Sequence, residues 1–143
     1  MSRGLVLCGT TSDAGKSLLT AGMCRWLVRR GVRVAPFKSQ NMSNNSMVCP
    51  DGAEIGRAQW VQAVAARVVP EAAMNPVLLK PGSDRRSHVV LMGKPYGELG
   101  SGEWATGRQE LARTAFAAFE DLSSRYDVVI AEGAGRSPHP DTG

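Results

Sequence analysis

The segment "VLCGTTSDAGKSLLT" at residues 6–20 contains the residue types that bind phosphate groups. Glycines allow backbone N–H groups to converge on an anion, and a lysine and a hydroxyl group follow at Lys16 and Ser17. The usual phosphate-binding loop has four residues between its first glycine and the Gly-Lys pair, whereas Gly9 and Gly15 enclose five. We predict a variant loop in which Lys16 contacts the outer phosphates and the Ser17 hydroxyl ligates Mg²⁺.

The sequence on either side of the loop predicts the elements that a phosphate site needs. Residues 4–8 form a short apolar run typical of a buried strand, and residues 16–30 predict a helix that ends before Gly31. A strand that leads through glycines into a helix directs unsatisfied N–H groups toward an anion, so we reject a chance occurrence of Gly-Lys-Ser. The residues expected on the core-facing side of this helix are Leu19, Met23, Trp26 and Leu27.

The rest of the chain alternates between apolar runs of strand length and amphipathic helices. It predicts strands at residues 32–37, 77–79, 88–92 and 127–131 and helices at residues 54–68 and 110–124. Residues 38–52 are polar and predict a long loop, and the glycines and prolines between residues 81 and 102 predict a surface excursion. This alternation predicts an α/β fold built on a parallel sheet, without repeats or an internal domain boundary.

The composition is that of an ordinary globular domain, with 43% hydrophobic and 21% charged residues among 143. No apolar run approaches the roughly 18 residues that a membrane span needs, and the N-terminal run is too short for a signal-peptide core. We therefore expect a cytoplasmic protein with no membrane partner. Cys8, Cys24 and Cys49 are odd in number and lack CxxC spacing, which predicts reduced thiols.

The net charge of +4 suits an anionic ligand without identifying it. A cluster of arginines, at Arg25, Arg29, Arg30 and Arg33, falls at the end of the first predicted helix. No aromatic residues interleave the cluster in the manner of a base-stacking platform. We interpret it as a solvated helix face and expect no nucleic-acid partner.

Four further segments, together with the loop, carry a resemblance to a known family. They are "APFKSQNMSNNS" at 35–46, "DGAEIGRAQ" at 51–59, "MNPVLLKP" at 74–81 and "VVIAEGAG" at 128–135. In this order they resemble the N-terminal synthetase domain of cobyric acid synthase, in the dethiobiotin synthetase-like P-loop superfamily, over about residues 4–135. Thr11 stands where partition and division ATPases carry a signature lysine, so the loop does not match that branch.

The resemblance implies an activity as well as a P-loop NTPase topology. The implied reaction is ATP-dependent amidation of peripheral carboxylates on a corrinoid, which converts adenosylcobyrinic acid a,c-diamide to cobyric acid. Glutamine supplies the ammonia in this family, and ATP with Mg²⁺ activates each carboxylate as an acyl phosphate. The implied partners are therefore a corrinoid substrate and a source of glutamine-derived ammonia.

The family's functional residues carry over onto matching positions of this sequence. Lys16 and Lys38 are implied to be the catalytic cations. The implied nucleotide-binding residues are Thr10, Asp13, Ala14, Gly15, Lys16 and Ser17, and the implied metal ligands are Asp13, Ser17, Glu54 and Glu132.

From the residues alone, several of these positions have a second interpretation. Lys38 follows a predicted strand in a polar loop and would otherwise be a solvated lysine. Glu54 would otherwise be a first-turn acid favoured by the helix dipole. Glu132 follows apolar residues at a strand end, where burial without a cation would be costly. A choice between substrate binding and turn capping stays open for three amides, Asn41, Asn44 and Asn45.

The sequence departs from the family's pattern after Gly135. Residues 136–143 read "RSPHPDTG", with Ser137-Pro138 one position late. We expect a partial synthetase domain at residues 1–135 with a C-terminally incomplete sheet, a divergent tail at residues 136–143 and no glutaminase domain. Cys8 lacks the flanking glycines of a nucleophile elbow and is expected in the core. The alternatives are an inactive fragment that keeps at most Mg-nucleotide binding, and a dethiobiotin synthetase-type ligase.

Overall fold

The computed structural model describes residues 3–7, 13–83, 86–99 and 104–133. In chain order, its first half contains β1 (Arg3–Leu7), α1 (Asp13–Val28), β2 (Val34–Phe37), β3 (Gln40–Met42), β4 (Ser46–Val48), β5 (Glu54–Gly56) and α2 (Arg57–Ala65). A short 3₁₀ turn at Ala72–Met74 precedes β6 (Val77–Pro81), β7 (Ser87–Leu91), β8 (Lys94–Leu99), α3 (Trp104–Arg125) and β9 (Val128–Glu132). The predicted α/β class is confirmed. No helix within these ranges is both long and apolar enough to cross a membrane.

A sheet of three parallel strands, in the order β1-β9-β2, forms the centre of the described fold. Leu7 and Phe37 lie opposite Glu132 and Ala131 of β9, so the carboxyl ends of all three strands meet at one edge of the sheet. Pro36 lies inside β2, next to its last residue. Proline is tolerated there because β2 is an edge strand of the described sheet, and the N–H groups on its outer side have no neighbouring strand to pair with.

Helices cover both faces of this sheet, and the alternation of side chains along the strands assigns residues to each face. On one face Ala35, Phe37 and Val129 pack against α3 in a buried cluster. The rings of Phe37 and Phe119 meet edge to face, with centroids 5.3 Å apart. On the other face Val34 and Ile130 pack with residues of α1 and α2. Strands β2 and β9 are therefore buried on both sides, as continuous apolar runs predict.

The outer surface of α1 differs from the prediction. Met23 and Leu27 pack toward the core, but Leu19 and Trp26 are each 54% exposed. The guanidinium of Arg30 lies 3.8 Å from the centre of the Trp26 ring, so the indole is covered by a cation instead of by the core. The predicted stop is confirmed at Gly31, which has a φ of 77° and bonds back to the Val28 carbonyl.

The segment between β2 and α3 contains more strand than the sequence predicts. The polar residues 38–52 contain β3 and β4, and the predicted surface excursion contains β8. Strands β3, β6, β7 and β8 form a second sheet, and β4 pairs with β5. The helix predicted from residue 54 begins only at Arg57, because residues 54–56 pair with β4 as strand β5. The pairing of β3 with β6 joins residues distant in sequence, and β4 and β5 have three residues each, which is too short to show a periodicity.

A glycine in the tight turn between β7 and β8 provides a test of this packing. Met92 and Gly93 both have positive φ, as a two-residue hairpin turn requires. A Cβ added to Gly93 would overlap the Ala53 side chain and lie 2.8 Å from the Ala53 Cα atom. Gly93→Ala should therefore lower the free energy of unfolding by about 1–3 kcal/mol, measured by urea denaturation.

The matched control is Gly22→Ala, the same substitution at an exposed position of α1. A Cβ there meets nothing within 4 Å, so the higher helix propensity of alanine should raise stability by up to about 1 kcal/mol. Equal unfolding free energies for the two variants would contradict the described contact between the turn and Ala53.

Candidate functional site

The residues expected to hold phosphate lie where α1 meets the carboxyl ends of the parallel strands. Lys16 is 9% exposed, and its Nζ atom donates to the Gly133 carbonyl at 3.4 Å. Ser17 Oγ donates to Glu132 Oε2 at 3.4 Å. The structure therefore brings the lysine and hydroxyl of the predicted loop to the end of β9.

Glu132 is the centre of this group. Its side chain is 1% exposed, and Lys38 Nζ lies 4.0 Å from its Oε2 atom. Gln62 Nε2 donates to its Oε1 atom at 2.6 Å. We call Lys16, Ser17, Lys38, Gln62 and Glu132 the lysine–glutamate cluster; its members come from α1, α2, β9 and the residue after β2.

The strand register explains why Lys38 and Glu132 meet. Phe37 pairs with Ala131 in neighbouring parallel strands, so the next residue of each strand emerges at the same edge of the sheet. Ligands of parallel α/β sheets bind at this edge. The sequence predicts Ser17 in the glycine loop and Lys38 and Glu132 at the ends of strands, and the structure places the three together.

Gln62 is the member of the cluster that no motif in the sequence predicts. It is buried, and its amide nitrogen donates both to Glu132 and to the Ser17 carbonyl at 3.2 Å. A glutamine inside an amphipathic helix usually indicates a solvated position, and its spacing carries no motif. A polar residue among the apolar positions of α2 was the only signal in the sequence, because burial of Gln62 depends on packing between α1 and α2.

Glu54 makes its described contacts with residues outside the lysine–glutamate cluster. Its carboxylate accepts hydrogen bonds from Lys80 Nζ and Ser46 Oγ, both at 2.5 Å. Burial alone would raise the pKa of Glu54, but the hydrogen bonds from Lys80 and Ser46 and the charge of Lys80 together lower it. The first-turn interpretation is wrong, because Glu54 belongs to β5 and α2 begins three residues later. The described partners of Glu54 are therefore Ser46 and Lys80 and not the members of the lysine–glutamate cluster.

The remaining predicted loop residues are only partly described. Thr10 and Cys8 lie outside the described residues, and for Asp13 and Ala14 only the backbone, in the first turn of α1, is described. Gly15 is exposed, and a Cβ on it would meet nothing within 4 Å. The described ranges contain no group of at least three His, Cys, Asp or Glu side chains that could together hold a metal ion.

The donor atoms of the cluster are nevertheless of the kind that Mg²⁺ prefers. Ser17 offers a hydroxyl oxygen and Glu132 a carboxylate, and both are hard ligands. Mg²⁺ commonly takes only one or two protein oxygens and completes its shell with water and phosphate. The pair Ser17 and Glu132 therefore fits the metal of a Mg-nucleotide.

Buried amides hold Lys38 in place. Asn75 Nδ2 donates to the Lys38 carbonyl at 3.0 Å, and Asn75 Oδ1 accepts from the Gly56 N–H at 2.9 Å. Asn41 Nδ2 donates to Gln59 Oε1 at 3.0 Å. A Cβ on Gly56 would overlap the Asn41 amide, so the packing requires glycine at this position. These amides connect the segment after β2 to the start of α2.

The three asparagines left open by the sequence are distinguished by their contacts. Asn41 is buried with its amide on Gln59, which is a structural contact. Asn44 Nδ2 donates to the Pro81 carbonyl at 3.5 Å. The Asn45 N–H bonds to Ser43 Oγ and its carbonyl accepts from the Arg57 N–H, so its backbone shapes the turn before α2.

The two described cysteines are unreactive. Both are buried and free. Burial, with a smaller contribution from the charge of Glu132, raises the pKa of the Cys24 thiol to about 12. Burial, with smaller contributions from Asp51 and Glu71, raises the pKa of Cys49 to about 11. Neither thiol is available as a thiolate nucleophile near neutral pH.

The sequence of the chain matches a known family and several curated proteins. Residues 5–136 match the family described as the CobQ/CobB/MinD/ParA nucleotide binding domain. Over 136 residues the chain is 74% identical to the cobyric acid synthase of Mycobacterium marinum and 73% identical to that of Mycobacterium tuberculosis. Each alignment covers 92% of this chain and 28% of the relative, so the chain spans little more than a quarter of the length of these curated proteins.

The contact between Gln62 and Glu132 generates a prediction about stability. Gln62→Leu keeps the volume of the side chain but removes the shortest hydrogen bond to a buried carboxylate. We expect the free energy of unfolding in urea to fall by about 1–3 kcal/mol, because a buried acceptor loses its donor. The matched control, Gln109→Leu on the exposed side of α3, should change it by less than about 0.5 kcal/mol.

A double-mutant cycle with Glu132→Leu assigns the loss to this contact. If Gln62 acts through Glu132, the second substitution should cost less in the background of the first, giving a coupling energy of about 1 kcal/mol. Additive losses would mean that Gln62 stabilises the fold through other contacts.

Proposed function

Because the chain belongs to the CobQ/CobB/MinD/ParA nucleotide-binding family, we propose that it forms the Mg-ATP-binding part of a cobyric acid synthase. The single observation that carries the proposal is the convergence of Lys16, Ser17, Lys38 and Glu132 at the carboxyl edge of the parallel sheet. A nucleoside triphosphate with its metal requires such a set of two cations and two oxygen ligands at one edge of the sheet.

The proposed reaction is amidation of peripheral carboxylates of adenosylcobyrinic acid a,c-diamide. A carboxylate is a poor acyl donor because the negative charge shared by its two oxygens makes the carbonyl carbon a weak electrophile. Transfer of the γ-phosphoryl group of ATP to one carboxylate oxygen gives ADP and an acyl phosphate. Ammonia then attacks the carbonyl carbon, inorganic phosphate leaves with the C–O electron pair, and loss of a proton from nitrogen gives the amide.

Phosphoryl transfer requires positioning and neutralisation of charge more than covalent chemistry from the protein. Lys16 and Lys38 provide the positive charge, and their burial keeps water from screening it. Ser17 and Glu132 would hold Mg²⁺, which neutralises charge on the phosphate oxygens. Asn75 keeps Lys38 at the sheet edge, and Gln62 fixes the Glu132 carboxylate between two elements.

The parts of the loop outside the cluster complete the proposal. Thr10, Ala14 and Gly15 would supply backbone N–H groups to the phosphates, and Asp13 would provide an acidic group within the loop. Glu54, which is paired with Lys80, would be the third carboxylate of the metal site. The ammonia would come from glutamine through a nucleophilic cysteine, a role for which the buried thiols of Cys24 and Cys49 are unsuited.

Removal of the loop lysine tests nucleotide binding directly. Lys16→Ala deletes a charge-assisted contact to phosphate, so Mg-ATP affinity measured by isothermal titration should fall by about tenfold or more. Lys94→Ala removes an exposed lysine of β8 and should leave the affinity unchanged. Equal affinity of the wild type and Lys16→Ala would contradict the assignment of the site.

An activity assay of the wild type and Lys16→Ala distinguishes nucleotide binding from catalysis. The chain is incubated with Mg-ATP, adenosylcobyrinic acid a,c-diamide and either ammonium or glutamine, and the products are followed by mass. Amide formation that is lost in Lys16→Ala supports the synthetase reaction. Nucleotide binding without ADP or amide formation would favour the alternative of a nucleotide-binding module without amidation.

A further inference from the structure

A cavity of about 440 Å³ opens beside the lysine–glutamate cluster, with Ser17 and Lys38 in its wall. Three large apolar side chains also line it and are unusually exposed: Leu18 at 76%, Met42 at 61% and Val61 at 45%. They come from α1, β3 and α2, so three separate elements present apolar surface to the same space. Exposed apolar side chains grouped around one cavity indicate a binding surface for an apolar ligand.

Arg57 adds a positive charge to the wall of this cavity. It is the first residue of α2, and its N–H is held by the Asn45 carbonyl at 3.0 Å. Its exposed guanidinium makes no hydrogen bond or ion pair with any residue in the described part of the chain. The first turn of α2 carries no acidic side chain, so the helix N-terminus adds to the positive potential instead of offsetting it.

We propose that one edge of the corrinoid enters the open side of this cavity, with Leu18, Met42 and Val61 against part of the ring face and Arg57 on a peripheral carboxylate. The proposal rests on the proposed function and adds to it a substrate-binding surface and a specificity-determining residue. The ligand that fits this combination is a large apolar ring whose edge carries several carboxylates. Arg57 binds one carboxylate in its bidentate geometry, while another is directed toward Ser17 and Lys38, where phosphoryl transfer would occur.

The arrangement also separates the roles of the two ends of the cavity. Lys38 is buried and held by Asn75, as suits a group that acts on phosphate. Arg57 is exposed and has no ion-pair partner among the described residues, as suits a group that exchanges water for a ligand carboxylate. A substitution at Arg57 should therefore affect corrinoid affinity and leave nucleotide affinity unchanged.

The test compares the wild type, Arg57→Gln and the matched control Arg113→Gln, which removes an exposed arginine of α3 that likewise makes no ion pair with described residues. Each protein is titrated calorimetrically with adenosylcobyrinic acid a,c-diamide, with the same corrinoid after methyl esterification of its carboxylates, and with Mg-ATP. Arg57→Gln should bind the acid about tenfold more weakly than the wild type and the ester with unchanged affinity. Its affinity for Mg-ATP, and all three affinities of Arg113→Gln, should equal those of the wild type.

Three results would overturn the inference: equal wild-type affinity for acid and ester, no binding of the acid, or a loss at Arg57→Gln confined to Mg-ATP. The nucleotide titration keeps this inference separate from the proposed function. A chain that binds the acid through Arg57 but does not bind Mg-ATP would support the corrinoid surface and contradict the proposed function. A chain that binds Mg-ATP but not the acid would do the reverse.

Discussion

The buried carboxylate of Glu132 is the constraint on which the rest of the site depends. A carboxylate removed from water at the end of a strand is costly unless donors and cations surround it. Here those groups come from three other parts of the chain, with Ser17 from α1, Gln62 from α2 and Lys38 from the end of β2. The fold places these elements around one anion, and the same placement leaves two lysines at the edge of the sheet.

Helix α2 connects this cluster to the cavity beside it. Gln62 lies in the middle of α2 and contacts Glu132, while Arg57 at its start lines the cavity. The position of the helix start is fixed by Gly56, whose N–H bonds to the buried amide of Asn75. Because Asn75 also holds the Lys38 carbonyl, a single amide is bonded both to the proposed phosphate site and to the start of the helix that lines the proposed corrinoid surface. A rigid connection of this kind suits a reaction in which two bound substrates must meet.

The parts of the fold that the sequence predicted are those whose signals are local. The apolar runs of β1, β2 and β9 and the glycine loop before α1 identify the parallel sheet and its ligand edge, and Ser17, Lys38 and Glu132 follow from the rule that strand ends converge. The family match and the α/β architecture agree with those expectations.

The misses arise from contacts that local periodicity does not report. The helical pattern of residues 54–68 is continuous and predicts that Glu54 opens a helix. Pairing with β4 instead makes Glu54 a strand residue, and its carboxylate forms an ion pair with Lys80. Gln62 carries no motif, and its importance follows from burial between two helices and a strand end. Leu19 and Trp26 have helical spacing, but the neighbouring elements leave that side of α1 open to solvent.

The central claim is that Ser17 and Glu132 hold the metal of a nucleotide whose phosphates contact Lys16 and Lys38. A crystal structure of the chain with Mn²⁺ and a non-hydrolysable ATP analogue tests it most directly, because anomalous scattering locates the metal independently of the protein density. The account predicts the metal beside Ser17 Oγ and the Glu132 carboxylate, with the terminal phosphate between the two lysines. A metal on Glu54, or a nucleotide whose phosphates lie away from the end of β9, would contradict it.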